Sequence, residues 1–210
     1  MPAIPYVISG KTLILLKTAC FLLALAPLAN LCLDAWQDRL GANPIEKITH
    51  ATGYWTLTFL LVTLSATPLR RLSGWYWPIR LRRMLGLYAF FYACLHFLTY
   101  LVLDQFFDTA AIAKDILKRP YITIGFLAFV SLFPLAITSN RLMMAKLGGK
   151  RWKMLHASIY PIAIAGVIHF LWLVKKDLSR PLIFAELLSV LLAIRLFYWL
   201  RTLPWIKRQS

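Results

Sequence analysis

The sequence predicts an all-α membrane protein, a polytopic bundle of six transmembrane helices with both chain termini in the cytoplasm. Three observations predict this fold: 60% of the 210 residues are hydrophobic, only 15% are charged, and six apolar stretches are each about 20 residues long. A helix of about 20 residues, rising about 1.5 Å per residue, crosses the hydrocarbon core of a bilayer. The mean hydropathy of +0.66 excludes a water-soluble globule.

The predicted spans follow one another with short loops between them. They cover residues 13–33, 49–69, 84–103, 121–138, 154–174 and 182–203. The first span resembles a signal peptide because Lys11 and Lys17 accompany its apolar stretch, but five further spans follow it, and we interpret it as a retained helix. The loops are too short to bury cores of their own, so residues 1–210 are predicted to form a single membrane domain.

Basic residues are distributed unevenly between the two sets of loops. One set carries 14 of the 24 Lys and Arg residues and no acidic residue, whereas the other set carries eight basic residues and all eight acidic ones. Because basic loops stay in the cytoplasm, this asymmetry predicts that both termini are cytoplasmic. The net charge of +16 is therefore interpreted as a topology signal and an attraction to anionic membrane lipid, not as a sign of nucleic-acid binding.

Sequence motifs of several other function classes are missing. We find no P-loop and no Gly-rich nucleotide fingerprint, so the energy for any activity must come from another molecule. The three cysteines, Cys20, Cys32 and Cys94, lie inside predicted spans and form no CxxC or CxxCH motif. The sequence therefore encodes neither a thiol redox pair nor a covalently attached c-type haem, and the cysteines are interpreted as small apolar fillers.

The four histidines are the main functional candidates. All of them lie in or at the edge of a predicted span: His50, His96, His156 and His169. Burying an imidazole in hydrocarbon is costly, which makes each one a candidate functional residue. Haem iron would offset this cost, because imidazole is its usual axial ligand and a porphyrin fits an apolar slot. The alternative is a hydrogen bond between helices.

Depth in the bilayer indicates which histidines could share one iron. Counted from the predicted cytoplasmic starts of their spans, His96 lies about 18 Å deep and His169 about 22 Å deep. These two can therefore meet. His156 lies only about 3 Å deep, and His50 opens its span from the opposite face, so these two are predicted to be separated by most of the bilayer.

A second haem has weaker support than the first. His156 and His169 are 13 residues apart, an axial step of about 20 Å, but they differ by about 140° around a straight helix. Pro161 and Gly166 lie between them and could kink that helix. No histidine stands one comparable step before His96; residues 82 and 83 are arginines. The number of haems, one or two, stays open at this point.

Several arginines could also contact a cofactor. The cytoplasmic loop with Arg82 and Arg83 is rich in guanidinium groups, which could hold haem propionates or a flavin phosphate. Anchoring at the cytoplasmic membrane face explains most of this charge equally well. Arg195 lies about 20 Å from the outer face inside the last span, and it either contacts a cofactor or extends along the helix towards the membrane surface.

Motifs spread over nearly the whole chain resemble those of one family. They occupy residues 41–44 (GANP), 50–53 (HATG), 67–70 (TPLR), 82–87 (RRMLGL), 95–96 (LH), 119–121 (RPY), 147–148 (LG), 151–152 (RW), 155–156 (LH) and 168–172 (IHFLW). Together with all four histidines in the same order, they closely resemble the MsrQ (YedZ) family of haem-binding membrane subunits, in the ferric reductase-like transmembrane group.

This resemblance implies a b-type cytochrome of the bacterial inner membrane. Such a subunit passes electrons from quinol or a cytoplasmic flavin reductase to a periplasmic molybdopterin-containing methionine sulfoxide reductase, which repairs oxidised proteins. Haem b and FMN are the cofactors implied. By the resemblance, His96, His156 and His169 match the haem-binding histidines of the family, and His50 matches a further recurrent histidine.

A transporter is the main alternative. Histidines inside a membrane could shuttle protons or bind a metal ion. Against this interpretation, no predicted span carries an acidic residue near the middle of the membrane, since Glu186 lies near the outer end of its span. A structural protein that only assembles partners is a third possibility.

Overall fold

The computed structural model describes residues 9–174 and 177–202, and within these ranges it is all helical, without a β-strand. The elements are α1 (Gly10–Trp36), α2 (Pro44–Ser73), α3 (Trp77–Leu98) continued by a π-helical segment (Thr99–Asp104), α4 (Thr109–Lys118), α5 (Pro120–Ile137), α6 (Arg141–Leu147), α7 (Gly149–His156), α8 (Ile159–Leu173) and α9 (Ser179–Leu200). Outside the described residues lie Leu203, the predicted end of the last span, and four residues of the charge asymmetry: Lys175, Lys176, Lys207 and Arg208.

Five helical stretches of the described chain are long and apolar enough to cross a membrane. They are α1, α3 with its π-helical continuation, α5, α7 together with α8, and α9. Each contains or closely matches a predicted span, and the prediction of an all-helical, multi-pass membrane protein is confirmed.

The remaining predicted span, residues 49–69, lies within α2. This helix has 30 residues, which is ample length, but it does not reach the apolarity of the other five. Its neighbours explain this difference, because α2 packs against α1, α3, α8 and α9. A helix surrounded by other helices needs less lipid-compatible surface and can carry polar residues towards the bundle interior. The count of six spans stays a prediction.

The start of α2 lies beside the end of α1 at one end of the bundle, and the end of α2 lies beside the end of α9 at the opposite end. At one end, Lys47 Nζ in the first turn of α2 pairs with Asp34 Oδ2 near the end of α1, at 2.9 Å. At the other, the Arg71 guanidinium of α2 lies 4.9 Å from the centre of the Tyr198 ring of α9. We call the first the acidic end, defined by Asp34, Asp104 and Asp115, and the second the basic end, defined by Arg70, Arg71, Arg82 and Arg83.

Two tyrosines of α3 attach α1 to the bundle. The buried Tyr92 hydroxyl donates a hydrogen bond to Ala24 O at 2.8 Å and accepts one from Leu28 N at 3.3 Å. In a regular helix Leu28 N bonds to Ala24 O, so the Tyr92 hydroxyl contacts the donor and the acceptor of one helical hydrogen bond, next to Pro27. One turn earlier on α3, the Tyr88 hydroxyl donates to Phe21 O at 3.0 Å.

The fifth predicted span is interrupted. Helix α7 ends at His156 and α8 begins at Ile159, with a turn at residues 157–158. Pro161 has no N–H group to donate to Ala157 O, four residues earlier, and Tyr160 N bonds to that carbonyl instead, at 3.2 Å. The break therefore lies on the His156 side of Pro161.

Two short helices were not predicted. A membrane span needs an apolar stretch of about 20 residues, whereas α4 has only ten residues and α6 only seven. Helix α4 begins after Asp108, whose carboxylate accepts hydrogen bonds from Ala110 N and Ala111 N at 3.0 and 2.9 Å. It lies against α5, and Thr123 Oγ1 of α5 donates to Ile116 O of α4.

We expect Tyr92→Phe to lower the melting temperature of the purified protein by about 2–4 °C, because it removes two hydrogen bonds worth together about 1 kcal/mol. Tyr88→Phe is the matched control, since it removes one hydrogen bond from the same helix pair and should have a smaller effect. Circular dichroism during heating in detergent measures both. A larger loss in Tyr88→Phe would contradict the double hydrogen bond of Tyr92 to α1.

Candidate functional site

An internal cavity of about 450 Å³ lies between α2, α3, α5 and α8. Two imidazoles face each other across it: His96, near the end of α3, and His169, near the end of α8. Their ring centres are 6.2 Å apart, and their planes form an angle of 77°. Most of the cavity wall is apolar and includes Leu57, Leu60, Phe97, Phe129, Leu132 and Ile162. The structure thus brings together the two histidines for which the depth calculation predicts a meeting.

Both imidazoles are held through the same ring atom. His96 Nδ1 lies 2.9 Å from Thr49 O of α2, and His169 Nδ1 lies 2.7 Å from Tyr121 O of α5. A carbonyl oxygen can only accept a hydrogen bond, so each Nδ1 carries the proton and donates it. Each Nε2 is then left unprotonated, with a lone pair. This tautomer, fixed by a backbone carbonyl, is typical of histidines that bind a metal.

A glycine stands opposite each imidazole. Gly53 lies one helical turn after Thr49, and Gly125 lies one turn after Tyr121, so each glycine is on the same helix face as the accepting carbonyl. A Cβ atom at Gly53 would lie 3.0 Å from His96 Cε1, and one at Gly125 would lie 2.7 Å from His169 Nδ1. The same arrangement, a backbone carbonyl followed four residues later by a glycine, therefore contacts His96 on α2 and His169 on α5.

The distance between the rings suits one metal ion bound between them. Metal–nitrogen bonds of about 2 Å to the two Nε2 atoms would place the ring centres about 6 Å apart. Within the described residues, no group of three His, Cys, Asp or Glu side chains could hold a metal ion by itself. A metal bound by this pair could take its remaining ligands from a non-protein group, and a macrocycle in an apolar slot is such a group.

The other two histidines lie apart from this pair. His50 is exposed and lines the cavity where it opens at the acidic end. His156 is absent from the described cavity lining and lies in α7; its Nε2 is 3.0 Å from Thr138 Oγ1. The His156 ring stacks on Trp152 at 4.0 Å between centres. Its partners therefore differ from those of His169, as the helical phase of the two residues predicts.

The predicted arginines lie outside the cavity. Arg82 and Arg83 are exposed in the early part of α3, at the basic end. Arg195 points between helices: its Nη1 donates to the Tyr160 hydroxyl at 2.7 Å, and its Nη2 donates to Leu64 O at 2.6 Å. The Arg195 side chain thus links α9 to α8 and α2.

Sequence reasoning missed the backbone groups that hold the imidazoles. Gly53 and Tyr121 lie inside the HATG and RPY motifs, but these motifs do not indicate that the two residues contact the imidazoles. A carbonyl group leaves no side-chain signal, because every residue carries one. The only available signal was the spacing of a glycine four residues after each carbonyl.

Known proteins are similar to this chain over most of its length. The family model of the ferric reductase like transmembrane component matches residues 49–167. A protein of Herminiimonas arsenicoxydans is 54% identical over 96% of this chain and 91% of its own length, and one of Azospira oryzae is 53% identical over 93% and 84%. Both are named protein-methionine-sulfoxide reductase heme-binding subunit MsrQ. This chain belongs to the MsrQ family.

The sequence similarity to MsrQ proteins extends beyond the segment that the family model matches. A further MsrQ protein, from Rhodospirillum rubrum, is 54% identical over 86% of both chains. The family model ends at residue 167, two residues before His169, whereas the MsrQ relatives match up to 96% of the chain. The recognition made from the motifs is thus confirmed.

Gly125→Ala should lower the melting temperature, because the added methyl group would overlap the His169 ring, which must then leave its hydrogen bond to Tyr121 O. Gly86→Ala is the matched control: its Cβ would lie 3.6 Å from Thr63 Cγ2, an ordinary contact, and alanine in a helix is favoured over glycine by about 0.5–1 kcal/mol. Thermal unfolding of the two variants tests the difference. Equal effects would contradict the steric role of Gly125.

Proposed function

We propose that this MsrQ protein is a b-type cytochrome, an electron-transfer membrane subunit in which His96 and His169 are the axial ligands of one haem b. The single observation that carries the proposal is the facing pair of imidazoles, 6.2 Å apart, each with its Nδ1 held by a backbone carbonyl. The names of the relatives as heme-binding subunits support the same assignment.

The residues of the site fit haem, which when bound supplies a one-electron ferric/ferrous couple. The hydrogen bonds from Nδ1 to Thr49 O and Tyr121 O orient the rings and make Nε2 a stronger ligand. A haem held by both His96 and His169 would have no coordination site left for oxygen or substrate, and it would therefore supply electron transfer and not catalysis at the iron. The apolar wall excludes water and limits the change in solvation when an electron arrives.

We further propose six membrane spans, with α2 as the second, and both termini in the cytoplasm of a bacterial inner membrane. The segregation of acidic and basic residues supports this orientation. The acidic end, where the cavity opens, is then periplasmic. Electrons would leave there for a molybdopterin-containing methionine sulfoxide reductase, and quinol or a cytoplasmic flavin reductase would supply them.

The basic end is the proposed place for the other implied cofactors. Arg82 and Arg83 are exposed and form no ion pair within the described chain, so their guanidinium groups are available to the phosphate of FMN or to propionates. His156, at the same end, is the candidate ligand of a second haem. Arg195 is engaged by Tyr160 and Leu64, and we assign it to helix packing.

The absorption spectrum tests the proposal. The purified protein should be red, with a reducible b-type spectrum, and His96→Ala or His169→Ala should each remove most of the haem bound by the pair. His156→Ala is the matched control and should leave the signal of that pair intact. A folded, colourless wild-type protein from haem-sufficient cells would contradict the proposal and favour a transporter. A lower haem content in His156→Ala would indicate a second haem at the basic end.

The angle between the imidazole planes predicts the paramagnetic signature. Imidazole planes 77° apart would leave the two iron d orbitals that interact with the ring π systems nearly equal in energy, so the oxidised low-spin haem should give an EPR spectrum dominated by a single large-g feature. Frozen-solution EPR of the purified oxidised protein measures this. A rhombic spectrum with three well-separated lines, typical of parallel imidazoles, would contradict the ring arrangement.

A further inference from the structure

The cavity between His96 and His169 is polar at one end only. Its deep end is lined by aliphatic side chains such as Leu60, Leu132 and Ile162. Among the described lining residues, the ionisable side chains other than the two facing histidines and tyrosines lie at the acidic end: Glu46, His50, Asp104 and Arg119. A ligand with charged groups on one edge and an apolar opposite edge fits this cavity in one orientation.

Arg119 is the one Lys or Arg residue among the described residues that line the cavity. It lies between α4 and α5, directly before Pro120, and its Nε pairs with Asp115 Oδ1 one helical turn earlier, at 3.3 Å. The Asp115 carboxylate raises the pKa of the Arg119 guanidinium, which is therefore charged. Because Asp115 uses Nε, the two terminal amino groups of Arg119 are left for other acceptors, of which the neighbouring Tyr121 hydroxyl is one and a ligand carboxylate can be another.

A hydroxyl donor also lies at the open end of the cavity, which we call the mouth. The Tyr100 side chain extends from the π-helical segment and lines the cavity. Its buried hydroxyl makes no hydrogen bond of regular geometry within the described chain, and the nearby Asp115 carboxylate is the acceptor with which a ligand would compete. A buried hydroxyl without a partner is costly, and π-helical segments often occur at functional sites. Tyr100 therefore offers a donor to a ligand in the mouth.

The acidic side chains at the mouth are oriented by their own donors. Glu46 accepts a hydrogen bond from Asn43 Nδ2 at 2.9 Å, and Asp104 accepts one from Gln105 Nε2 at 3.0 Å. Their charges disfavour a carboxylate elsewhere in the mouth, so the neighbourhood of Arg119 is the most favourable position for one.

We propose that Arg119 and Tyr100 form a carboxylate-binding site that takes a propionate of the haem and directs its charged edge towards the acidic end. This inference rests on the proposed function, because it requires the haem between His96 and His169. In the proposed orientation the propionate edge of the haem faces the periplasm. This edge is then the part of the haem nearest to the docked reductase, and electrons would leave from it. Arg119 is thus a positioning residue for electron transfer.

Two porphyrin probes test the site. The full-length apoprotein, prepared from haem-deficient cells, is titrated with haem or with haem dimethyl ester, which lacks the carboxylate charges, and binding is followed by absorption. We expect Arg119→Gln to weaken binding of haem about tenfold and to leave the affinity for the ester unchanged. Arg119→Lys should recover part of the loss. Lys118→Gln, the control, removes a neighbouring exposed charge outside the cavity lining and should change neither affinity.

Redox titration of the loaded protein gives a second readout. Removing a positive charge near the haem disfavours the added electron, so Arg119→Gln should have a lower midpoint potential than Lys118→Gln or the wild type. Equal weakening of both porphyrins by Arg119→Gln, or no weakening of either, would overturn the carboxylate site and leave the haem assignment standing. A folded wild-type protein that binds neither porphyrin would overturn the haem assignment itself.

Discussion

The hydrogen bond from each buried imidazole to a backbone carbonyl of the neighbouring helix is the constraint on which the site depends. An imidazole in an apolar bundle must satisfy its N–H group, and a carbonyl is the simplest acceptor available in a helix. His96 and His169 both use this solution, with Thr49 O and Tyr121 O. Each helix can approach closely enough only because a glycine, Gly53 or Gly125, leaves room for the ring.

This constraint explains the composition of α2. The helix that receives His96 carries a row of threonines, of which Thr52 is buried and donates its hydroxyl to Ile48 O at 2.8 Å. Thr52 Oγ1 also lies 3.4 Å from His96 Nδ1. Polar residues of this kind make α2 less apolar than the spans around it, and the surrounding helices shield them from lipid. The low hydropathy of α2 therefore has the same origin as the site.

The charged residues at the two ends of the bundle differ, and the polarity of the cavity changes along the same axis. The cavity opens among Glu46, Asp104 and Arg119, whereas His156 and the exposed arginines lie at the basic end. The break after His156 separates α7 from α8, so His156 and His169 belong to different local environments although they are 13 residues apart. A cofactor pair, if two are bound, would therefore occupy sites of different polarity.

The sequence by itself determined the apolar spans, the charge asymmetry and the common depth of His96 and His169. These properties are local, because hydropathy and the rise per residue along a helix do not depend on neighbouring helices. The tertiary structure decided the pairing of each histidine with a carbonyl and a glycine, the hydrogen bonds of Tyr92 to α1 beside Pro27, and the position of Arg119 at the open end of the cavity. The physical reason is that such contacts depend on the rotation and spacing of adjacent helices, and backbone carbonyls, which every residue carries, leave no mark in the sequence.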